Sequence, residues 1–193
     1  DKTVYPIASC NDVDFKNLMD IYMDAVFNPN IYKKEEIFKQ EGWHYESDGE
    51  KFFLNGVVFN EMKGVYSSAD DVLESKILQT IYNGNQYKYE SGGDPEVIPS
   101  LTYEAFLDYH KRHYDPANSY IYLYGKMDIQ ERLDYLDREY LSKYSKENFN
   151  TDTSVTVQKP FEAPITVKSV YAVDEGEDTE NSSYLSCSWI VGN

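Results

Sequence analysis

At 193 residues the chain has room for one domain, or for one domain and part of a second. Hydrophobic residues make up 41%, enough for a packed core, which excludes wholesale disorder. The formal net charge of −16 argues against nucleic acid, whose phosphates need Lys and Arg, and equally against an anionic membrane surface. The same charge serves solubility and would steer cationic peptides inward. The 19 tyrosines supply contact area with a polar tip, suited to interfaces and groove walls. Cys10 and Cys187 are far apart and no Cys-x-x-Cys occurs, so no disulfide framework is expected and a reducing, cytoplasmic setting is favoured. No apolar run is long enough to span a bilayer, and no signal-peptide pattern opens the chain. The start, Asp1-Lys2-Thr3-Val4-Tyr5, reads as an internal piece beginning inside a strand.

In chain order, Val4 to Ser9 reads as a short strand. Asn11 caps a helix whose apolar face is Phe15, Leu18, Met19, Tyr22 and Val26, stopped at Phe27-Asn28-Pro29-Asn30. A second helix fits Lys34 to Gln40, and Ser47-Asp48-Gly49-Glu50 is a turn before a strand at Phe52 to Leu54. Gly56 to Met62 begins a helix. Ser68 caps another that carries Val72, Leu73, Ile77, Leu78 and Ile81. Asn83 to Pro99, rich in Gly, Asn, Asp and Pro, is a long loop, and loops of that length tend to contact ligands. Thr102 caps a helix with Phe106, Leu107 and Tyr109 or His110 inward, ended by Asp115-Pro116. Ser119 to Gly125 is the clearest strand by propensity. Asp128-Ile129-Gln130-Glu131 is a capping box for a helix with Leu133, Leu136 and Leu141. Lys143 to Ser154 reads as linker. Val155–Val157, Ile165–Val173 and Tyr184–Val191 are strand-like, with an acidic turn at Asp174 to Asp178. The order gives an α/β (α+β) two-layer fold, helices against a sheet, without internal repeat.

His110 and His113 stand at i and i+3, a spacing able to hold a metal, but no third ligand is near in sequence. That pair, like His44, reads mainly as structural or surface histidine. Neither His-x-x-Glu-His nor His-Glu-x-x-His occurs, and Gly92-Gly93-Asp94 matches no phosphate-binding loop. Motif chemistry alone assigns no reaction.

Four stretches in one order carry a resemblance: Phe27-Asn28-Pro29-Asn30, then Gly56-Val57-Val58-Phe59-Asn60-Glu61-Met62-Lys63-Gly64, then Ser91-Gly92-Gly93-Asp94-Pro95 with Ile98-Pro99-Ser100-Leu101-Thr102, then Tyr114-Asp115-Pro116-Ala117-Asn118-Ser119. The chain resembles the pitrilysin/insulinase family of zinc peptidases with an inverted His-x-x-Glu-His motif, in its presequence-protease-like branch. The likeness is good from Thr3 to Tyr144 and looser to Gly192. It implies a metallohydrolase half-domain of the pitrilysin/mitochondrial-processing-peptidase type, truncated at its N-terminal side. It implies a catalytic zinc held by two imidazoles and a distal carboxylate, with Glu61 as that carboxylate. Two neutral imidazoles and one carboxylate leave a fourth position for water, which zinc acidifies. A glutamate near a helix start is otherwise an ordinary dipole partner. Gly92, Gly93 and Asp94 are candidates for the border of a peptide chamber, or a plain loop turn.

The resemblance assigns residues 1–145 to the C-terminal part of a first peptidase domain, 146–180 to a linker with connecting strands, and 181–193 to the first strand of a next domain. The inverted motif and its general base are expected upstream of Asp1, so no catalytic residue is assigned here. The expected function is therefore a piece of a zinc-dependent oligopeptidase acting on short unfolded peptides. The piece itself is expected to be inactive and free of Zn2+, and prone to self-association through surface that other domains of the same polypeptide would cover. The alternative is a non-catalytic scaffold or peptide-binding subunit of the same fold.

Overall fold

The computed structural model describes residues 2–191; Asp1, Gly192 and Asn193, where the outer segments and the resemblance end, lie outside the described residues. The chain divides into two compact units, Asp1–Ile37 with Thr102–Asp152, and Phe38–Leu101 with Thr153–Asn193.

In the first unit, helix α1 spans Asp12–Phe27. Asn11 Oδ1 accepts from the Val13 and Asp14 amides at 3.0 and 3.1 Å, satisfying donors that the first turn leaves unpaired. Its inward stripe runs through Phe15, Met19, Met23 and Val26, at helical spacing, with only Met19 fully buried. Tyr22, expected inward, is exposed, because the four-residue step from Met19 falls on Met23.

The helix formed from Tyr103–His113 (named α5 in chain order, after α2 at Glu35–Glu41, α3 at Val57–Val65 and α4 at Ala69–Ile81) is capped by Thr102 Oγ1, which accepts from the Ala105 amide. Helix α6, Ile129–Glu139, is capped by Asp128, which accepts from Glu131 N at 3.1 Å. Its buried face corrects the expectation of a leucine stripe. Leu136 is buried, but Leu133 is half exposed and Arg132 is 2% exposed. Asp12, Lys16 and Asp20, one turn apart on α1, explain this. Asp12 accepts from Arg132 at 2.6 Å, Lys16 faces Glu131 at 3.5 Å, and Asp20 Oδ1 accepts from the hydroxyls of Tyr135 and Tyr140. The α1–α6 seam is thus polar, with its charges paired.

In the second unit, β1 (His44–Ser47) pairs antiparallel with β2 (Phe52–Asn55), Tyr45 opposite Leu54 and Ser47 opposite Phe52. Asp48 Oδ1 accepts from the Glu50 and Lys51 amides and sets the turn. Gly56 then starts α3 with φ +146°, and a Cβ there would stand 2.3 Å from Gly42 O. Only glycine allows that approach. The core is Phe59, Met62 and Ile98, with Trp43, Leu54, Val65 and Tyr66 packed against it. Helix α4 is capped by Ser68; its one fully buried residue is Ser75, bonded to Tyr66 Oη at 3.0 Å, while the expected aliphatics are half buried. Gln158 returns to α4's C-terminal end, its Oε1 accepting from Gly84 N at 2.9 Å, and Gln86 donates to Ser154 O at 2.7 Å.

The two-stranded sheet is the sheet found among the described residues, so the helices are not laid on a broad sheet there. The strands expected at 4–9, 119–125, 155–157, 165–173 and 184–191 take no ladder pairing among the described residues. β-propensity marks a residue that fits a pleated surface; it does not supply the neighbouring strand. Tyr120, Tyr122 and Tyr124 all stand open to solvent.

Candidate functional site

Helix α3 places its residues by simple periodicity. Phe59 and Met62, three apart, enter the core, and Glu61 falls beside that stripe on the exposed side. Gly56 fixes where the helix begins, and Phe59 N donates to Gly42 O at 3.3 Å, tying the first turn to the base of β1. Among the described residues no hydrogen bond or ion pair engages the Glu61 carboxylate.

Glu61 lines a cavity of about 390 Å³ together with Met62 and Tyr66 of the α3 end, Asp71, Glu74 and Ser75 of α4, and Glu90, Ser91 and Gly92 of the following loop. The cavity is acidic, with four carboxylates on its wall. Asp71 and Glu74 sit there because α4 turns that face back toward α3, held by the Tyr66–Ser75 bond, while Gln79, also on α4, donates to the same Ser75 Oγ at 3.1 Å. Sequence reading missed Asp71, Glu74 and Glu90. The three-residue spacing of Asp71 and Glu74 on α4 is visible in the sequence, but the convergence of that helix with the loop carrying Glu90 is not local.

Of the residues singled out from sequence, Glu61 and Gly92 meet in this cavity, and Gly93 and Asp94 are not on its wall. Asp94 is engaged in its own loop: its Oδ1 accepts from Glu96 N at 2.9 Å, and its carbonyl from Val97 N and Ile98 N. Gly93, at φ +94°, makes the bend before that turn.

The histidines are spent on structure. His110 Nε2 donates to Val26 O at 3.0 Å, which leaves Nδ1 to accept from Tyr32 Oη at 2.8 Å, and its ring stacks on Tyr114. Burial pushes its pKa below the usual histidine value, although the Val26 carbonyl pulls the other way. His113 lies against the Tyr109 ring, and His44 Nδ1 donates to Lys39 O at 2.8 Å. Among the described residues no group of three or more His, Cys, Asp or Glu is placed to hold a metal. The free, exposed Glu61 carboxylate fits one oxygen ligand of a zinc site, where three protein ligands are needed.

Residues 100–193 match the family described as the peptidase M16 inactive domain. Over its whole length the chain is 49% identical to Protein HypA of Clostridium perfringens, covering 20% of that protein. It is 40% identical to presequence protease 1, chloroplastic/mitochondrial, of Arabidopsis thaliana, over 99% of the chain and 18% of the relative. With the mitochondrial presequence protease of Drosophila melanogaster it shares 42% identity, over 75% of the chain and 14% of the relative. The chain thus spans about a fifth of the length of the curated relatives it matches. Among the described residues no helix is long and apolar enough to cross a membrane.

Proposed function

Because the chain is an M16 pitrilysin-like, presequence-protease-like segment, we propose that it forms part of a zinc-dependent peptidase and supplies one zinc ligand, Glu61. The observation that carries this reading is the free carboxylate of Glu61 on a helix fixed by Gly56 and Met62, at the wall of an open acidic cavity. Two imidazoles and a general base come from sequence outside this chain. Zinc, when bound, acidifies a water for attack on a peptide carbonyl. Short unfolded peptides are the proposed substrates, and the cavity's four carboxylates suit cationic ones. Gly92, Gly93 and Asp94 are proposed to border the chamber, with Gly92 best placed for it.

The segment boundaries proposed are 1–145, 146–180 and 181–193. Its partners are the other domains of its polypeptide, and, when isolated, further copies of itself. Free, exposed Cys10 and Cys187 accord with a cytoplasmic location, which cell fractionation would check.

Zinc stoichiometry and peptide cleavage test the reading. Full-length protein with Glu61→Gln is expected to lose bound zinc and activity, and the 193-residue chain alone to cleave nothing. Native zinc content in Glu61→Gln, or zinc-dependent cleavage by the isolated chain, would overturn it. The match of residues 100–193 to a domain described as inactive favours a second reading, a non-catalytic peptide-binding subunit. A full-length protein that binds peptides but neither zinc nor cleaves would select it.

A further inference from the structure

The loop that carries Gly92 and the helix that carries Glu61 touch through one side chain. A Cβ built on Gly92 would stand 2.2 Å from Met62 Sδ and 3.3 Å from its Cγ. These atoms lie within the side chain as well as toward its tip. Met62 is 5% exposed and packs with Phe59 and Ile98, so swinging it into the cavity it borders would withdraw it from that core. The next residue, Gly93, is seated on the same core, since a Cβ there would meet Ile98 Cγ1 at 3.2 Å. Bare backbone at Gly92 is therefore the surface against which Met62 of α3 rests, and Gly93 beside it lies against Ile98. Met62 follows Glu61 directly, so whatever fixes the azimuth of Met62 fixes that of Glu61. At a side-chain radius of ~6 Å, a rotation of about 10° carries a carboxylate through roughly 1 Å, against metal–ligand distances held to about 0.2 Å.

We propose that Gly92 is a positioning residue: by leaving room for Met62 it sets the rotation of α3 and hence the place of the Glu61 carboxylate. This rests on the reading of Glu61 as a zinc ligand. It assigns Gly92 a duty toward the metal, beyond that of bordering a chamber.

The test uses full-length protein, with zinc affinity measured by chelator competition and the visible absorption of the Co2+-substituted protein as the readout of ligand geometry. Gly92→Ala is expected to weaken zinc binding by about tenfold or more, the usual effect of disturbing a ligand's support, and to alter the cobalt bands. Gly92→Ala combined with Met62→Ala removes the clash. It is expected to bind zinc about tenfold more tightly than Gly92→Ala alone and to regain the native cobalt spectrum. Native affinity and spectrum in Gly92→Ala, or a double variant no better than the single, would overturn the proposal. If Gly92→Ala does not fold, Met62→Ile presses β-branched bulk on the intact Gly92 from the other side. An altered cobalt spectrum then supports the proposal, and an unchanged one defeats it. Glu61→Gln separates the two levels. If it keeps native zinc affinity, the ligand reading fails; if it loses zinc while Gly92→Ala does not, only the positioning role fails.

Discussion

His110 Nε2 donates to the Val26 carbonyl across 3.0 Å, and because a carbonyl can only accept, this bond fixes the proton of the neutral imidazole on Nε2. Nδ1 is then left to accept from the Tyr32 hydroxyl at 2.8 Å, so His110 joins α5, α1 and the turn at Asn30–Tyr32 in its neutral form. Protonating Nδ1 would remove the acceptor that Tyr32 uses.

A pH dependence follows from that bond. The His110 pKa is lowered from 6.5 in the folded chain, so below 6.5 the unfolded chain binds more protons. Stability should therefore be lost as pH falls from about 6.5 through the lower folded value. Urea midpoints measured from pH 8 to 5 should fall in the native chain and fall less in His110→Gln, which also cannot charge.

Asp20 should act in a lower window. Hydrogen bonds from Tyr135 and then Tyr140 hold its carboxyl below the ordinary 3.8, while desolvation and the Asp20 bond push the Tyr135 hydroxyl up to about 12. A depressed carboxyl contributes stability above 3.8 that disappears as pH drops through the folded value. Asp20→Asn is expected to flatten the acid limb of the same midpoint curve below pH 4, and to leave the His110 window unchanged.

Arg132 and Asp12 offer a test of a buried charge. Arg132 is enclosed, and its Nε has no hydrogen-bond partner among the described residues, so Asp12 is its main compensation. Asp12→Ala should destabilise by about 2 kcal/mol, less than the 3–5 seen when both partners are buried, since Asp12 is largely exposed. Adding Arg132→Met should recover part of that loss, because an apolar side chain needs no counter-charge. Denaturant unfolding of the three proteins measures both steps.

Two glycines should differ sharply. Gly56→Ala meets both a forbidden φ and the Gly42 carbonyl at 2.3 Å, and should cost about 3 kcal/mol or more. Gly49→Ala, at φ +93° with open space around it, should cost about 1 kcal/mol. Thermal unfolding of both variants distinguishes steric from conformational cost.

How much of this was legible depended on range along the chain. The caps at Asn11, Ser68, Thr102 and Asp128 form between a side chain and an amide two or three residues on, so local spacing announced them. Ser119 to Gly125 looked like the best strand and pairs with nothing among the described residues, since pairing depends on another segment. Arg132 within a helix core could not be read without Asp12, distant in sequence. At the candidate site, Glu61 is proposed from the resemblance of its nonapeptide, and the fold adds that its carboxylate is exposed on a cavity wall. The loop residue Glu90 and the α4 acids came into view only when the chain was folded, as did the close approach of Gly92 to Met62.

The two units are interleaved along the chain: the second opens at Phe38, is interrupted after Leu101, and resumes at Thr153. The bonds from Gly84 to Gln158 and from Gln86 to Ser154 join its two stretches. A ribosome delivering this polypeptide would therefore expose α3, with Glu61 and Met62, well before the segment that clasps the end of α4 has been made. No single cut frees either unit whole, so a protease nick between them would leave halves that must find each other again.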